Sequence, residues 1–185
     1  ITFFYAGGNA QGNPTGTLVP SAPIALSTGV SDVAVVDVDF DGDSDVVWTN
    51  ALDGTAGILQ NDPGLLAPIW TDVGIFAAGL GLATDVEPTN LDGDAFTDLV
   101  IFGDDVYTYF GNGVGGFSVG QTLANLGTNP VDITTGNFGG FGLGLDDLAV
   151  LNSETPISST NVFINSGGTF SDGAPDFTIF SGDDP

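Results

Sequence analysis

The sequence predicts an all-β protein built from short strands and tight turns. Strong helix formers are scarce, because Lys, Arg and Met are absent from the 185 residues and Glu87 and Glu154 are the only glutamates. Gly occurs 29 times, and Val, Ile, Thr and Phe form short runs separated by Gly, Asn, Asp and Pro. An acidic segment also recurs about every 50 residues, which indicates a repeated unit.

Residues 1–30 contain two extended pieces separated by a glycine turn, and no acidic loop. The first piece is the apolar run Ile1–Tyr5, and the second ends near Gly29. This segment therefore has the pattern of the later part of a unit, and we interpret it as the end of a preceding repeat.

The second segment, residues 31–78, contains the acidic loop 37–45 between the apolar runs Val33–Val36 and Val46–Trp48. Acidic side chains occupy alternate positions of this loop, with Gly42 at the sixth, and no Lys or Arg in the chain can neutralise them. Side-chain oxygens at positions 1, 3, 5 and 9, a backbone carbonyl at 7 and Gly at 6 are typical of a calcium loop. The predicted ligands are the side chains of Asp37, Asp39, Asp41 and Asp45 and the carbonyl of Asp43.

Other readings of this loop are less favourable. A solvated acidic turn without metal would leave five uncompensated carboxylates that oppose folding. An EF-hand needs Glu at the twelfth position, which here is Trp48, and the flanking runs predict strands. The chain contains no Cys or His, which excludes zinc and most soft-metal sites.

The pattern restarts twice. Residues 79–127 contain the loop 90–98, the apolar run Leu99–Phe102 and a glycine turn at 111–117, and residues 128–185 contain a degenerate loop at 137–147. A period near 50 residues with about four short strands per unit is typical of a β-propeller blade. We therefore expect four-stranded antiparallel sheets forming about three blades, preceded by a half blade.

The acidic loop, the strand after it and the Phe-bearing glycine turn together resemble the FG-GAP or VCBS repeat of integrin-α-like propellers. The elements that carry the resemblance are the loops 37–45 and 90–98, the strands Val46–Trp48 and Leu99–Ile101, and the turns 111–117 and 165–170. It extends over nearly the whole chain. It implies that each loop joins the first two strands of a blade and binds Ca²⁺.

The resemblance also implies a second calcium site, so two Ca²⁺ are expected. Its ligands would be the side chains of Asn90, Asp92, Asp94 and Asp98 and the carbonyl of Phe96. Ala95 replaces the glycine of the sixth position, which predicts a strained turn and lower affinity. Glycines and apolar residues replace the carboxylates of the loop 137–147, so we expect it to be folded but metal-free or weak.

Such propellers close with about seven blades, so these repeats are expected to belong to a larger or multi-chain propeller. Exposed strand edges would then pair with other protein chains or with copies of this one. The net charge of −24 disfavours nucleic acid, and no apolar run is long enough for membrane insertion.

Catalysis is not expected, because no His, Lys or Cys is present to act as base or nucleophile. The acidic pairs Asp104–Asp105, Asp146–Asp147 and Asp183–Asp184 are interpreted as turn residues rather than as catalytic carboxylates. Trp48 and Trp70 are interpreted as packing residues rather than as platforms for sugar stacking.

The sequence therefore predicts a calcium-binding β-propeller repeat region that serves adhesion or structural assembly at a cell surface or in a filament. Weak calcium modules suit the millimolar calcium found outside cells, which favours an extracellular location. Two alternatives stay open: a carbohydrate-binding, lectin-like propeller whose partners are glycans, and a non-catalytic repeat region of a larger secreted enzyme.

Overall fold

The computed structural model describes residues 1–2, 4–8, 14–20, 22–62, 69–124, 126–139, 144–153, 157–171 and 175–180. The regular elements in these ranges are all β-strands, so the all-β prediction is confirmed. None of the described residues form a helix able to span a membrane. The strands are β1 (Phe4–Gly8), β2 (Pro14–Pro20), β3 (Val30–Val36), β4 (Asp45–Asn50), β5 (Thr55–Asp62), β6 (Ile69–Ala78), β7 (Asp85–Thr89), β8 (Asp98–Phe102), β9 (Val106–Gly111), β10 (Phe117–Leu123), β11 (Pro130–Gly136), β12 (Asp147–Asn152), β13 (Ser159–Phe163) and β14 (Phe177–Phe180).

The strands form an antiparallel pair, β1–β2, followed by three four-stranded antiparallel sheets. The first sheet is β3–β4–β5–β6, the second is β7–β8–β9–β10 and the third is β11–β12–β13–β14. In each sheet every strand pairs with the next one along the chain, so each sheet is an antiparallel meander. The predicted four-stranded antiparallel sheets are thus confirmed.

The second strand of each sheet is the apolar run that follows the acidic loop. All residues of β4 and β8 are buried, which requires apolar packing on both faces of these sheets. Successive side chains of a strand point to opposite faces. Accordingly, Leu99 and Ile101 of β8 lie in a core shared with the first sheet, whereas Val100 and Phe102 lie in a core shared with the third.

The three sheets therefore pack face to face, with the second sheet between the other two. Their first strands lie side by side, since β7 contacts both β3 and β11. This arrangement brings the loop between the first two strands of every sheet to the same side of the molecule, where neighbouring loops meet.

Trp48 on β4 is 3% exposed, as expected for a packing residue. Its indole ring lies against Gly57 on the neighbouring strand β5, where any Cβ atom would collide with the ring. A glycine in the middle of a strand is costly, and here it makes room for the indole.

Candidate metal centre

The candidate metal centre is the loop 37–45, which joins β3 to β4 and is closed by the buried carboxylate of Asp45. Asp45 Oδ2 accepts the backbone N–H of Val38 at 2.8 Å, and Oδ1 accepts that of Asn61 at 2.8 Å. The loop is thereby attached to the end of β5. Burial raises the pKa of Asp45, the two backbone hydrogen bonds oppose this, and the charges of Asp39 and Asp41 add to it.

The other two sheets repeat this closure. In each, a buried aspartate at the start of the second strand accepts one N–H from the start of its loop and one from the end of the third strand or from the turn that follows it. The partners are Leu91 and Gly111 for Asp98, at 2.7 and 2.9 Å, and Phe138 and Asn165 for Asp147, at 3.0 and 2.9 Å. The primary role of these three aspartates is thus to position the loop.

The first loop brings three carboxylates together. Asp37, Asp39 and Asp45 each offer an oxygen atom, and the three atoms lie within 4.8 Å of one another. Asp37 Oδ2 accepts the N–H of Gly42 at 3.0 Å, while Asp37 Oδ1 is buried without a hydrogen-bond partner among the described residues. Leaving a buried acceptor unpaired costs about 1–3 kcal/mol, which a cation would relieve.

The donor chemistry of this triad fits a hard cation such as Ca²⁺. All three ligand atoms are carboxylate oxygens, and each retains a lone pair beyond the N–H bonds that it accepts. Asp39 is held in place by the side-chain amide of Gln60 and by the N–H of Asp41, at 3.3 Å. The ligand atoms are thus positioned by the fold.

Asp41 and Asp43 lie on the outer part of the loop and do not belong to the triad. Asp41 Oδ1 accepts the N–H of Asp43 at 2.9 Å, which repeats the contact between Asp39 and Asp41 one step along the chain. Side-chain contacts with the N–H two residues on are turn-forming interactions of Asp. The Asp41 side chain therefore shapes the outer part of the loop.

The second loop is closed upon itself. The side chain of Asn90 accepts the N–H of Gly93 at 2.8 Å and donates to the carbonyl of Asp94 at 3.2 Å. Asp92 accepts the N–H of Asp94 and Asp94 that of Phe96, at 3.0 and 2.7 Å. Asp92 and Asp98 hold the positions of Asp39 and Asp45, whereas the amide of Asn90 stands where the first loop has the carboxylate of Asp37.

The expectation of a strained turn at Ala95 is wrong. Ala95 is not among the described residues with positive φ, whereas Gly93 has φ 85°. The strain lies in the first loop, at Phe40 with φ 62°, because the fourth loop position is left-handed in both loops and is a glycine only in the second. Phe40 packs edge-to-face on Phe96 of the neighbouring loop, with ring centroids 5.6 Å apart.

Part of the degenerate loop 137–147, residues 140–143, lies outside the described residues, so its expected lack of metal stays a prediction. The described part shows a contact that the sequence did not reveal. Asp146 Oδ2 accepts the N–H of Asn90 and the hydroxyl of Thr89, both at 3.0 Å, and the Asp146 N–H donates to the Asn90 carbonyl at 2.9 Å. Asp146 and Asp147 are therefore structural anchors.

The loops 37–45 and 90–98 are also each linked to the glycine turn of the next sheet. The carbonyl of Val38, at the second loop position, accepts the N–H of Gly115 at 3.0 Å. The carbonyl of Leu91, at the same position of the second loop, accepts the side-chain amide of Asn165 at 2.7 Å. Ordering of a loop is thereby coupled to the packing of the following sheet.

No protein-family model matches the chain, and no curated protein sequence is significantly similar to it. The likeness to FG-GAP and VCBS repeats consequently rests on the loops, strands and turns named above, and membership of that family stays a prediction.

Proposed function

We propose that the chain is a calcium-binding β-propeller repeat region in which the ion at the loop 37–45 stabilises the fold. The observation that carries the proposal is the convergence of Asp37, Asp39 and Asp45, with one buried oxygen of Asp37 left unpaired. Calcium would supply the positive charge that the chain lacks, since Lys, Arg and His are absent.

The propeller arrangement is supported by three features. Consecutive sheets are four-stranded meanders, they pack face to face through two apolar cores, and their first strands lie side by side. These are the relations between neighbouring blades of a propeller. In this arrangement the β1–β2 pair is the remainder of a preceding blade.

The loop 90–98 is proposed as a second, weaker calcium site. Coordination by Asn90, Asp92, Asp94, Asp98 and the Phe96 carbonyl requires the Asn90 side chain to leave Gly93 and Asp94. Because these hydrogen bonds must be given up, we expect lower affinity than at the first loop. The lower calcium affinity expected of the second loop is thus attributed to these hydrogen bonds and not to strain at Ala95.

The role that we propose is adhesion or structural assembly outside the cell, through contacts with other chains or with copies of this one. Large apolar side chains are exposed on the last strands of the first and third sheets. They are Ile69, Val73 and Ile75 on β6, and Phe177, Ile179 and Phe180 on β14. Exposed apolar residues on sheet edges favour association with another chain.

The alternative of a lectin-like function is less well supported, because Trp48 is buried and cannot stack on a sugar.

Calcium titration of chelator-stripped protein by calorimetry, with thermal melts followed by circular dichroism, tests the calcium proposal. We expect two sites of unequal affinity and a rise in melting temperature on binding. The Asp37→Asn variant should lose about tenfold or more of the affinity of the tighter site, because the loop loses a charged ligand. Asp62→Asn is the matched control, since it removes one charge from an exposed position of β5. Equal binding by both variants, or no heat in the wild type, would contradict the proposal.

The proposed assembly is tested by sedimentation in saturating calcium over a range of protein concentrations. Ile179→Asp should abolish self-association, because a charge on an edge strand prevents pairing with a neighbour. Val114→Asp changes an equally apolar, exposed residue in a turn and should have no effect. A wild type that stays monomeric at every concentration would exclude self-assembly and leave a different chain as the partner.

A further inference from the structure

An aspartate recurs at one place in the first strand of every sheet. Asp32, Asp85 and Asp132 pair across their sheets with Thr49, Phe102 and Leu151, which hold matching positions in the second strands. Because β7 contacts both β3 and β11, these three aspartates lie on neighbouring strands. The chain has no Lys, Arg or His that could neutralise the negative charges of these aspartates.

The contact between β3 and β7 includes polar interactions beside its apolar core, and two of these aspartates take part in them. Asp32 Oδ2 accepts the backbone N–H of Val86 at 3.1 Å, and the hydroxyl of the preceding Ser31 donates to the carbonyl of Ala83 at 2.5 Å. The Asp85 carboxyl lies within hydrogen-bonding reach of the Asp32 carboxyl. Two carboxyl groups can hydrogen-bond each other only if one carries a proton, since a carboxylate is an acceptor alone.

The surroundings favour that proton. Burial, the hydrogen bond with Asp32 and the negative charges of Asp32 and Glu87 raise the pKa of Asp85 to about 7, against a smaller opposing effect of the Val86 N–H. Burial and the charges of Asp132 and Asp32 raise the pKa of Glu87 as well. Asp85 therefore changes charge near neutral pH, unlike an exposed aspartate.

Among the described residues, the ionisable side chains on Asp85's own strand and on the strands that contact it are all acidic. Asp32 of β3 and Glu87 of β7 act on Asp85 directly. The other strands that contact β7 carry Asp132 on β11 and, at the far ends of β4 and β8, Asp45 and Asp98. Asp45 and Asp98 each accept two backbone N–H groups and take no part in the pair.

We propose that Asp32 and Asp85 share one proton and form a pH-dependent contact between the first and second sheets. At mildly acidic pH the Asp85 hydroxyl donates to Asp32, which also accepts the Val86 N–H. When the pH rises through neutrality, Asp85 loses its proton to solvent, and two adjacent carboxylates repel each other across the contact.

The sign of the effect follows from the pKa of Asp85, which is higher in the folded than in the unfolded chain. The folded state binds more protons between the two pKa values, so stability from this pair is present at low pH and lost as pH rises toward and past about 7. Exposed carboxylates are fully ionised above about pH 6 and do not contribute to the slope there.

The test compares thermal melts at about pH 6 and about pH 8 in saturating calcium. The wild-type melting temperature should be lower by about 3 °C at the higher pH. Asp85→Asn should show a much smaller difference, because an amide donates to Asp32 at either pH and Glu87, whose pKa is also raised, is left to contribute. Asp62→Asn, with the same charge removed at an exposed site, should keep the wild-type slope.

Carbon-13 NMR titration of the carboxyl groups of the wild type gives a second measurement. A carboxyl resonance should titrate near pH 7 and move to lower pH in Asp32→Asn, whose amide oxygen still accepts the Val86 N–H. Equal melting slopes for wild type and Asp85→Asn would overturn the proposal. If Asp85→Asn does not fold, the absence of any wild-type carboxyl titrating above about pH 6 would overturn it.

Discussion

At the scale of single residues, the fold depends on buried aspartates whose partners are backbone N–H groups. Asp45, Asp98 and Asp147 are at most 3% exposed, and each accepts two such groups. A buried carboxylate usually has a Lys, Arg or His side chain as its partner. Here the chain has none, and two backbone N–H groups point at each carboxylate instead.

Asp98→Ala should lower the free energy of unfolding by about 2–5 kcal/mol, because it leaves the N–H groups of Leu91 and Gly111 buried without an acceptor. Asp98→Asn keeps one acceptor oxygen and should cost about half as much. Urea unfolding in excess chelator removes any contribution from metal. Asp94→Ala, in the exposed part of the same loop, is the control; equal losses for Asp94→Ala and Asp98→Ala would contradict the anchoring role.

At the scale of elements, the turns after β9 and β13 each contain a glycine with the same φ but with different neighbours. Gly113 and Gly167 both have φ 69°. A Cβ atom on Gly113 would collide with the ring of Phe96, whereas one on Gly167 would meet nothing within 4 Å. The two positions therefore separate backbone strain from steric contact.

Gly167→Ala should cost about 1–2 kcal/mol of unfolding free energy, the strain of a left-handed residue with a Cβ. Gly113→Ala should cost about 1–3 kcal/mol more, since Phe96 must also move. Urea unfolding in saturating calcium measures both variants. In a Phe96→Ala background the extra cost should disappear, and its persistence would show that Phe96 is not the cause.

The strands and loops could be predicted from the sequence, but the contacts between sheets could not. Continuous apolar runs in the sequence predicted the strands β4, β8 and β12, because a strand that is buried on both faces has few polar residues. The contact of Asp146 with Asn90 was not foreseeable, because periodicity does not reveal which loop of a neighbouring sheet an acidic side chain reaches.

The two acidic loops have similar oxygen spacing, but they differ at the first loop position, which holds a carboxylate in the first loop and an amide in the second. The amide of Asn90 can donate, so it bonds the carbonyl of Asp94 and closes its loop, whereas the carboxylate of Asp37 can only accept. Ligand spacing predicted the loops, and donor capacity decided their geometry.

At the scale of the whole molecule, two separate cores hold three sheets in a row. Leu99 is fully buried between the first and second sheets, and Leu148 is fully buried in the core between the second and third. Since each sheet packs only on its neighbours through these cores, stability should be divided between the two interfaces, as in repeat proteins.

Leu148→Ala should lower the free energy of unfolding by about 2–5 kcal/mol and act mainly on the second core. Native-state hydrogen exchange should show faster exchange in β12 and β13 than in β4 and β5. Leu99→Ala, a substitution of the same size in the first core, should accelerate exchange in β4 and β5. Uniform acceleration in both variants would mean that the three sheets open as one unit.

The links from Val38 to Gly115 and from Leu91 to Asn165 join adjacent sheets only. The second sheet contributes the Leu91 carbonyl to its junction with the third sheet and the Gly115 N–H to its junction with the first. A gene segment that encodes one sheet thus specifies both halves of the junction, and its tandem duplication would add a unit already matched to its neighbours. Chains of this kind are therefore expected to vary in length by whole sheets as they evolve.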